Sequence, residues 1–382
     1  MPLAPVVALG LAMLPAALAR WGGRRRWLGT TTLVVFSSAF AIALVRSDAW
    51  DSAPISAAIG AGGGKIGLLL ADAKTARYET FDRPYFEDRV AELGDYEVLY
   101  ANADQDMSKQ QEQAESLLAA GVSVLVLDPV DAEAAVSIVN AASGLGVPVI
   151  SYDRLIAGGN IAYYVSFDNA LVGVLQAQAL VNALATGGGG GILMVNGSPT
   201  DSNAPQFEEG ALSVIDSSHL HVLASYDTPD WSPDKAQEWV AGQISLFGSE
   251  IEGIYAANDG TASGAISALR GANLDPLPLV TGQDAELTAI QRIVSGDQFM
   301  TVFKDVRPQA RKAAEVAVAL ARGEEVTSSV KIDGVPATLL LPVAVTRANI
   351  ADTIVADGFW TIEQICTEDY ERACVEAGLI TP

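Results

Sequence analysis

From Lys65 onward the chain alternates short, unbroken apolar runs with longer amphipathic ones. "KIGLLLA" (65–71), "YEVLYAN" (96–102), "VSVLVLDP" (122–129) and "VPVISYD" (147–153) are separated by "FEDRVAELG" (86–94), "SKQQEQAESLLAAG" (108–121) and "DAEAAVSIVNAASGLG" (131–146). Apolar runs without polar alternation predict strands buried on both faces, as in a parallel sheet covered by helices. Each amphipathic run closes on a glycine, Gly94, Gly121 or Gly146, which suits the left-handed position just past a helix. This half reads as a βαβ series, hence a doubly wound layer. The series then restarts, with helices at 167–185, 203–217, 233–247, 260–272 and 285–295. Strands are expected within 187–199 and at 220–227, 251–259, 278–284 and 300–305. Two such α/β units in tandem predict a two-lobed molecule whose strand ends face one another across a cleft.

Polar residues collect at those strand ends. Asp153 and Arg154 end one strand, Asn258 and Asp259 another, Gln283 and Asp284 a third, and Lys304 a fourth; Asp201 and Asn203 follow "VNGSP" after a fifth. For Asp153 and Arg154 alone, a structural ion pair at a sheet edge would serve as well, and would be worth little if exposed. Recurrence at several strand ends points instead to a ligand site, because topological switch points collect ligands. Asp, Asn, Arg and Gln offer planar, two-pronged hydrogen bonding that suits adjacent hydroxyls on one ring. Tyr78 and Trp231 lie among loop residues, Trp231 within the turn formers of "TPDWSPD". A neutral polyol held between aromatic plates, with amides and charges at its rim, is the chemistry this set implies. Asp168 and Asp259 each open a helix and read as N-caps.

Charge narrows the partners. The 382-residue chain carries a formal net charge of −23, and the portion after residue 51 holds 18 Lys and Arg against 44 Asp and Glu. A body that acidic repels phosphate backbones and anionic headgroups, so nucleic acid is excluded and any membrane contact falls to the N-terminal segment. There, "RWGGRRRW" (20–27) precedes the uncharged "LGTTTLVVFSSAFAIALV" (28–45), the order of an export signal. The run also reaches the ~17–25 residues of a membrane span. Residues 1–64 thus read as an export signal or membrane anchor followed by a flexible linker, export with cleavage being favoured. In an exported chain, Cys366 and Cys374 read as a disulfide closing a short loop; a metal pair would lack further ligands, and free thiols would need a reducing compartment.

Other chemistries lack their parts. The glycine run at 187–191 has no Gly-Lys-Ser/Thr ending and precedes a strand, so it is read as a surface turn, not a phosphate loop. His219 and His221 share one strand face without a carboxylate or cysteine beside them, which argues against a metal. No nucleophile stands with a base to activate it, so neither an enzyme nor a cofactor is expected.

The motifs "YDR" (152–154), "SFDN" (166–169), "GSPTDSNA" (197–204), "DWSPDKA" (230–236), "AAND" (256–259), "TGQDAE" (281–286) and "VFKD" (302–305) occur in one order along the chain. Together they resemble the periplasmic monosaccharide-binding proteins of ABC importers, in particular the D-xylose-binding and multiple-sugar-binding groups. The resemblance runs from Lys65 to about Gly358, and "TLLLPVAVTRANIADTIVADGFW" (338–360) is similar to the C-terminal segment of the second group. It implies an α/β fold of periplasmic-binding-protein type I, two doubly wound parallel-sheet lobes with a hinge and a ligand cleft between them. Carried over, one lobe spans 65–167 and 305–337, and the other 168–304 and 338–382. The resemblance also implies that Arg77, Asp153, Arg154, Asp201, Asn203, Asn258, Asp284 and Lys304 bind sugar hydroxyls, with Tyr78 and Trp231 as stacking plates. Tyr78 stands where those proteins carry Trp, a smaller plate. The implied ligand is D-xylose or a related aldose, glucose or galactose, and the implied partner is an ABC permease. A membrane-tethered sugar sensor is the alternative reading; a sugar-responsive transcription regulator would need a basic helix-turn-helix ahead of residue 65, where the chain is apolar and glycine-rich.

Overall fold

The computed structural model describes residues 63–185 and 190–382. The expected leader and nearly all of the linker, and residues 186–189 of the glycine run, lie outside the described residues. In the first half the order is β1 (Lys65–Leu70), α1 (Arg83–Leu93), β2 (Glu97–Asn102), α2 (Met107–Ala119), β3 (Val124–Leu127), α3 (Val136–Gly144), β4 (Val149–Tyr152) and β5 (Ile161–Phe167). The second half begins with α4 (Asn169–Leu184), β6 (Gly191–Asn196), α5 (Ala204–Ile215), β7 (His221–Asp227), α6 (Pro233–Phe247), β8 (Ile251–Ala256) and α7 (Asp259–Gly271). It continues through β9 (Leu279–Val280), α8 (Leu287–Ser295), β10 (Met300–Phe303), α9 (Val306–Ala321), β11 (Val330–Ile332), β12 (Val335–Leu340) and β13 (Val343–Thr346). Two short helices, α10 (Ile362–Ile365) and α11 (Glu371–Glu376), follow, and the disulfide Cys366–Cys374 ties them together.

The first sheet runs β11-β12-β5-β4-β3-β1-β2, all parallel except β11. The second runs β7-β6-β8-β9, all parallel, and a Gln283–Val302 bridge leads on to the antiparallel pair β10-β13. Each sheet therefore repeats the 2-1-3-4-5 order of a doubly wound layer, whose ligands bind beyond the carboxyl ends of the strands. The unbroken apolar runs have their expected cause: Ile66, Leu68 and Leu70 of β1 pack on one face with α9, while Leu69 packs on the other with α2 and α3. In β6, Ile192 and Met194 face one core and Leu193 and Val195 another. Both faces of the central strands β1, β3, β4, β6 and β8 are dry, so these strands have no polar side to show.

Several local readings change. Gly121 and Gly146 take φ of +79° and +72°, the left-handed geometry that suits glycine. Gly94 has φ 164°, extended backbone open to any residue. Strand β5 and helix α9 lie in segments left unread in the sequence. The chain leaves the first sheet after Phe167, returns from β10 to α9, and leaves again after β12. Because Thr338, Leu339 and Leu340 still pair with β5, this last crossing comes three residues later than the expected 337/338 boundary.

Candidate functional site

All ten residues expected at the ligand site line one cavity of about 300 Å³, joined by Thr75, Phe207 and Gln283. Each arrives from the carboxyl end of a strand. Arg77 and Tyr78 follow β1 and Asp153 and Arg154 follow β4, all on the first lobe. Asp201 and Asn203 follow β6, Trp231 follows β7, Asn258 β8, Asp284 β9 and Lys304 β10.

Asp153 and Arg154, neighbours in sequence, do not pair. Asp153 has φ +59°, a left-handed turn that sends the two side chains apart. Its carboxylate accepts from Arg77 Nη1 at 3.1 Å, Gln309 Nε2 at 3.1 Å and the Tyr78 hydroxyl at 3.0 Å. Burial alone would raise its pKa, but Arg77 and then Lys304 overcome that and hold the carboxyl well below the usual range, so it is ionised. Behind it, Arg77 makes a two-pronged contact with Asp82 at 3.0 and 2.7 Å and donates to Gln309 Oε1 at 2.7 Å. Tyr152 donates its hydroxyl to Asp82 in turn. A carboxylate has about four acceptor positions and a guanidinium five N–H groups. These contacts leave Asp153 one position, on Oδ2, and Arg77 one N–H, on Nη1.

Arg154 faces a different set. Its Nε lies 2.9 Å from Asp201 Oδ2 and 3.6 Å from Asp128 Oδ1, its Nη2 is 3.5 Å from Asp72 Oδ2, and its Nη1 donates to the Pro129 carbonyl at 3.1 Å. Asp201 belongs to the second lobe, so this is an ion pair across the cleft. Asp201 also accepts from Trp231 Nε1 at 3.0 Å and from the Asn203 backbone at 2.8 Å. Burial pushes the Asp128 and Asp201 carboxyls up despite Arg154. Further ties across the cleft are Ala132 N donating to Thr200 O at 3.1 Å and Asn203 Nδ2 to Asp153 O at 3.2 Å. Phe81 of the first lobe also stacks on Phe359 of the second with ring centroids 4.2 Å apart. The lobes are closed on the cavity.

The opposite wall belongs to the second lobe. Lys304 Nζ stands 2.9 Å from Asp284 Oδ1, and Arg77 Nη1 is 3.9 Å from the same oxygen. Asp284, like Asp153, has a positive φ, +93°, a backbone strain of the kind that clusters at ligand sites. Asn258 caps α7, its Oδ1 accepting from Thr261 N at 2.8 Å, and lines the cavity.

Some expected roles do not hold as stated. Tyr78 is not in a loop; it opens a single helical turn, Tyr78–Asp82, and is anchored by its hydroxyl. Trp231 closes a tight turn, Pro229–Trp231, and is 7% exposed, pinned to Asp201. Asp168 does cap α4, accepting from Leu171 N at 3.0 Å, but Asp259 caps nothing. Its buried carboxylate instead accepts from Thr301 Oγ1 at 2.9 Å, Gln298 Nε2 at 2.8 Å and Glu286 N at 2.9 Å, bracing the Asp284 turn from behind. Burial raises the carboxyls of both Asp259 and Glu286. Phe207, Gln309, Asp82, Asp72 and Asp128 were not singled out. Gln309 sits on the unread α9, and Phe207 on the inner face of α5 looks like any core residue.

Residues 66–325 match the periplasmic binding protein domain. The chain belongs to the periplasmic binding protein family. Its members capture solutes and catalyse no reaction, consistent with a cleft lined by hydrogen-bonding groups. The D-xylose-binding periplasmic protein of Haemophilus influenzae is 36% identical over 309 residues, spanning 79% of this chain and 92% of that one. The multiple sugar-binding periplasmic receptor ChvE of Rhizobium radiobacter is 32% identical, spanning 81% and 95%. Among solved structures, an ABC transporter solute binding protein from Clostridium phytofermentans with bound β-D-glucose is similar at a TM-score of 0.73. It is 28% identical and covers 79% of this chain and 99% of its own. In this periplasmic binding protein, the chain crosses between lobes near residues 168, 304 and 341.

Proposed function

We propose that this protein is an exported receptor for a monosaccharide, D-xylose first among the aldoses, which it delivers to the permease subunits of an ABC importer. The observation that carries the reading is the cavity between the lobes whose wall brings carboxylate, guanidinium, ammonium and amide groups together with Tyr78, Trp231 and Phe207. Such a wall suits a neutral ring bearing hydroxyls on its edge and C–H groups on its faces. The relatives named for D-xylose and multiple sugars support the ligand class. Their periplasmic setting supports export, with residues 1–64 as signal or anchor. In this reading Arg77, Asp153, Asn203, Asn258, Asp284 and Lys304 meet hydroxyls, while Arg154 and Asp201 hold the lobes together around them.

The test is thermal unfolding of residues 65–382 with and without D-xylose, D-glucose and D-galactose. A ligand at 100 times its Kd stabilises the folded state by ~2.7 kcal/mol. Absence of any shift with every common aldose at millimolar concentration would refute the receptor.

A further inference from the structure

Among the described residues, Gln283 is the neutral side chain of the cavity wall that keeps a buried acceptor without a hydrogen-bond partner. It is 2% exposed, and its backbone is fixed twice, by the bridge to Val302 and by its carbonyl accepting from Asp259 N at 3.0 Å. Its side-chain Nε2 donates to the Ala257 carbonyl at 3.3 Å, which orients the amide. The other end, Oε1, has no hydrogen-bond partner, and the side chain lines the cavity beside Asn258, Asp284 and Lys304. Turning the amide over would break the Ala257 bond and point an oxygen at an oxygen. Buried side-chain acceptors are nearly always satisfied, and one left over at a site wall marks where a ligand or water donates.

We propose that Gln283 is a ligand-contacting residue whose Oε1 accepts a hydrogen bond from one ring hydroxyl. This rests on the sugar-receptor reading and sharpens it. Elsewhere in the wall the acceptors are carboxylates already engaged by Arg77, Arg154 or Lys304. Gln283 is a neutral acceptor with nothing else to do, so it selects for a hydroxyl at one ring position without adding charge. A sugar lacking that hydroxyl would leave Oε1 buried and unpaired, the penalty by which polar sites discriminate.

The experiment is calorimetric titration of the wild-type chain and of Gln283→Met and Gln283→Leu. Each is titrated with the aldose that binds the wild type most tightly and with its singly deoxygenated analogues. The expected result is about tenfold weaker binding of the parent sugar by either variant, the loss of one hydrogen bond. One deoxy analogue should bind the variants at least as tightly as the wild type, because the contact is gone from both and only the wild type keeps an unpaired Oε1. The same loss for every analogue would mean that Gln283 only shapes the wall or acts through a water, and would overturn the inference. So would parent-sugar affinities within about twofold of wild type in both variants. Two variants of different shape, each checked by its unfolding temperature, separate a packing defect from a lost contact. Failure of the wild type to bind any aldose would instead strike at the receptor reading on which the inference stands.

Discussion

Arg154→Met tests the charge arrangement most directly. The side chain is 3% exposed, and it is the cation nearest to three carboxylates, Asp201 at 2.9 Å, Asp72 at 3.5 Å and Asp128 at 3.6 Å. Methionine keeps much of the volume and removes the charge. Taking away one partner of a buried ion pair costs about 3–5 kcal/mol, because the other is left buried and uncompensated. At roughly 2–4 °C per kcal/mol for a body of this size, unfolding should come about 6–20 °C earlier at neutral pH. The pH dependence carries the sharper signature. Asp128 and Asp201 already sit above their ordinary values, burial being the main cause, and losing Arg154 raises them further. A carboxyl whose folded pKa exceeds its unfolded one binds more protons in the folded state. Its contribution is most favourable below about pH 4, the unfolded value, and is lost as pH rises through the folded one, at ~1.4 kcal/mol per pH unit per group. The deficit of the variant should therefore be small at acidic pH and grow toward neutrality. Thermal unfolding of wild type and variant from about pH 4.5 to about pH 8 measures it. A deficit under ~1 kcal/mol at neutral pH, or one of equal size at both ends, would refute the reasoning.

Two further outcomes follow from the same geometry. Asp284→Asn leaves Lys304, 4% exposed and 2.9 Å away, without its nearest countercharge and weakens a ligand contact at once. Sugar affinity should fall by about 2–5 kcal/mol, roughly 30- to 5,000-fold, in a calorimetric titration; an unchanged Kd would remove Asp284 from the site. Replacing both Cys366 and Cys374 by serine opens a loop with a sequence separation of 8, whose closure is worth ~2.5 kcal/mol on chain-entropy grounds. The double variant should unfold about 5–10 °C earlier without a change in sugar affinity, and an equal unfolding temperature would show the bond to be dispensable.

The cavity was legible in the sequence because parallel strands buried on both faces have few places for a charge. Asp153, Asn258, Asp284 and Lys304 stood out against "VPVIS", "IEGIYA", "PLVT" and "MTVF" for that reason. What supports them was not legible. Asp82, Asp72, Asp128 and Gln309 carry no periodic signal, and they come together only when β1, β3, β4 and α9 do. Gln309 lies more than 150 residues from the carboxylate it holds. The mistaken cap at Asp259 has a similar origin: Asn258 and Asp259 are both good capping residues, and local sequence cannot say which faces the helix end and which the sheet.

The division of work between Asp153 and Arg154 explains how a closed site can still have something to offer. Two inter-lobe charge contacts are made by residues that line the cavity. Arg154 and Asp201 meet at 2.9 Å, and Asp201 is further engaged by Trp231 and by the Asn203 backbone. That contact is made between protein groups alone. Arg77 and Asp284 are held at 3.9 Å, too far for a hydrogen bond, and each keeps unmatched capacity toward the space between them. With Asn258, Gln283 and Lys304 on one side and the last free position of Asp153 on the other, the unmet donors and acceptors concentrate at that gap. A ligand favours closure only to the extent that it binds the closed form better than the open one. In the proposed receptor the gap supplies that difference, because its groups come from both lobes and face one another only in the closed form.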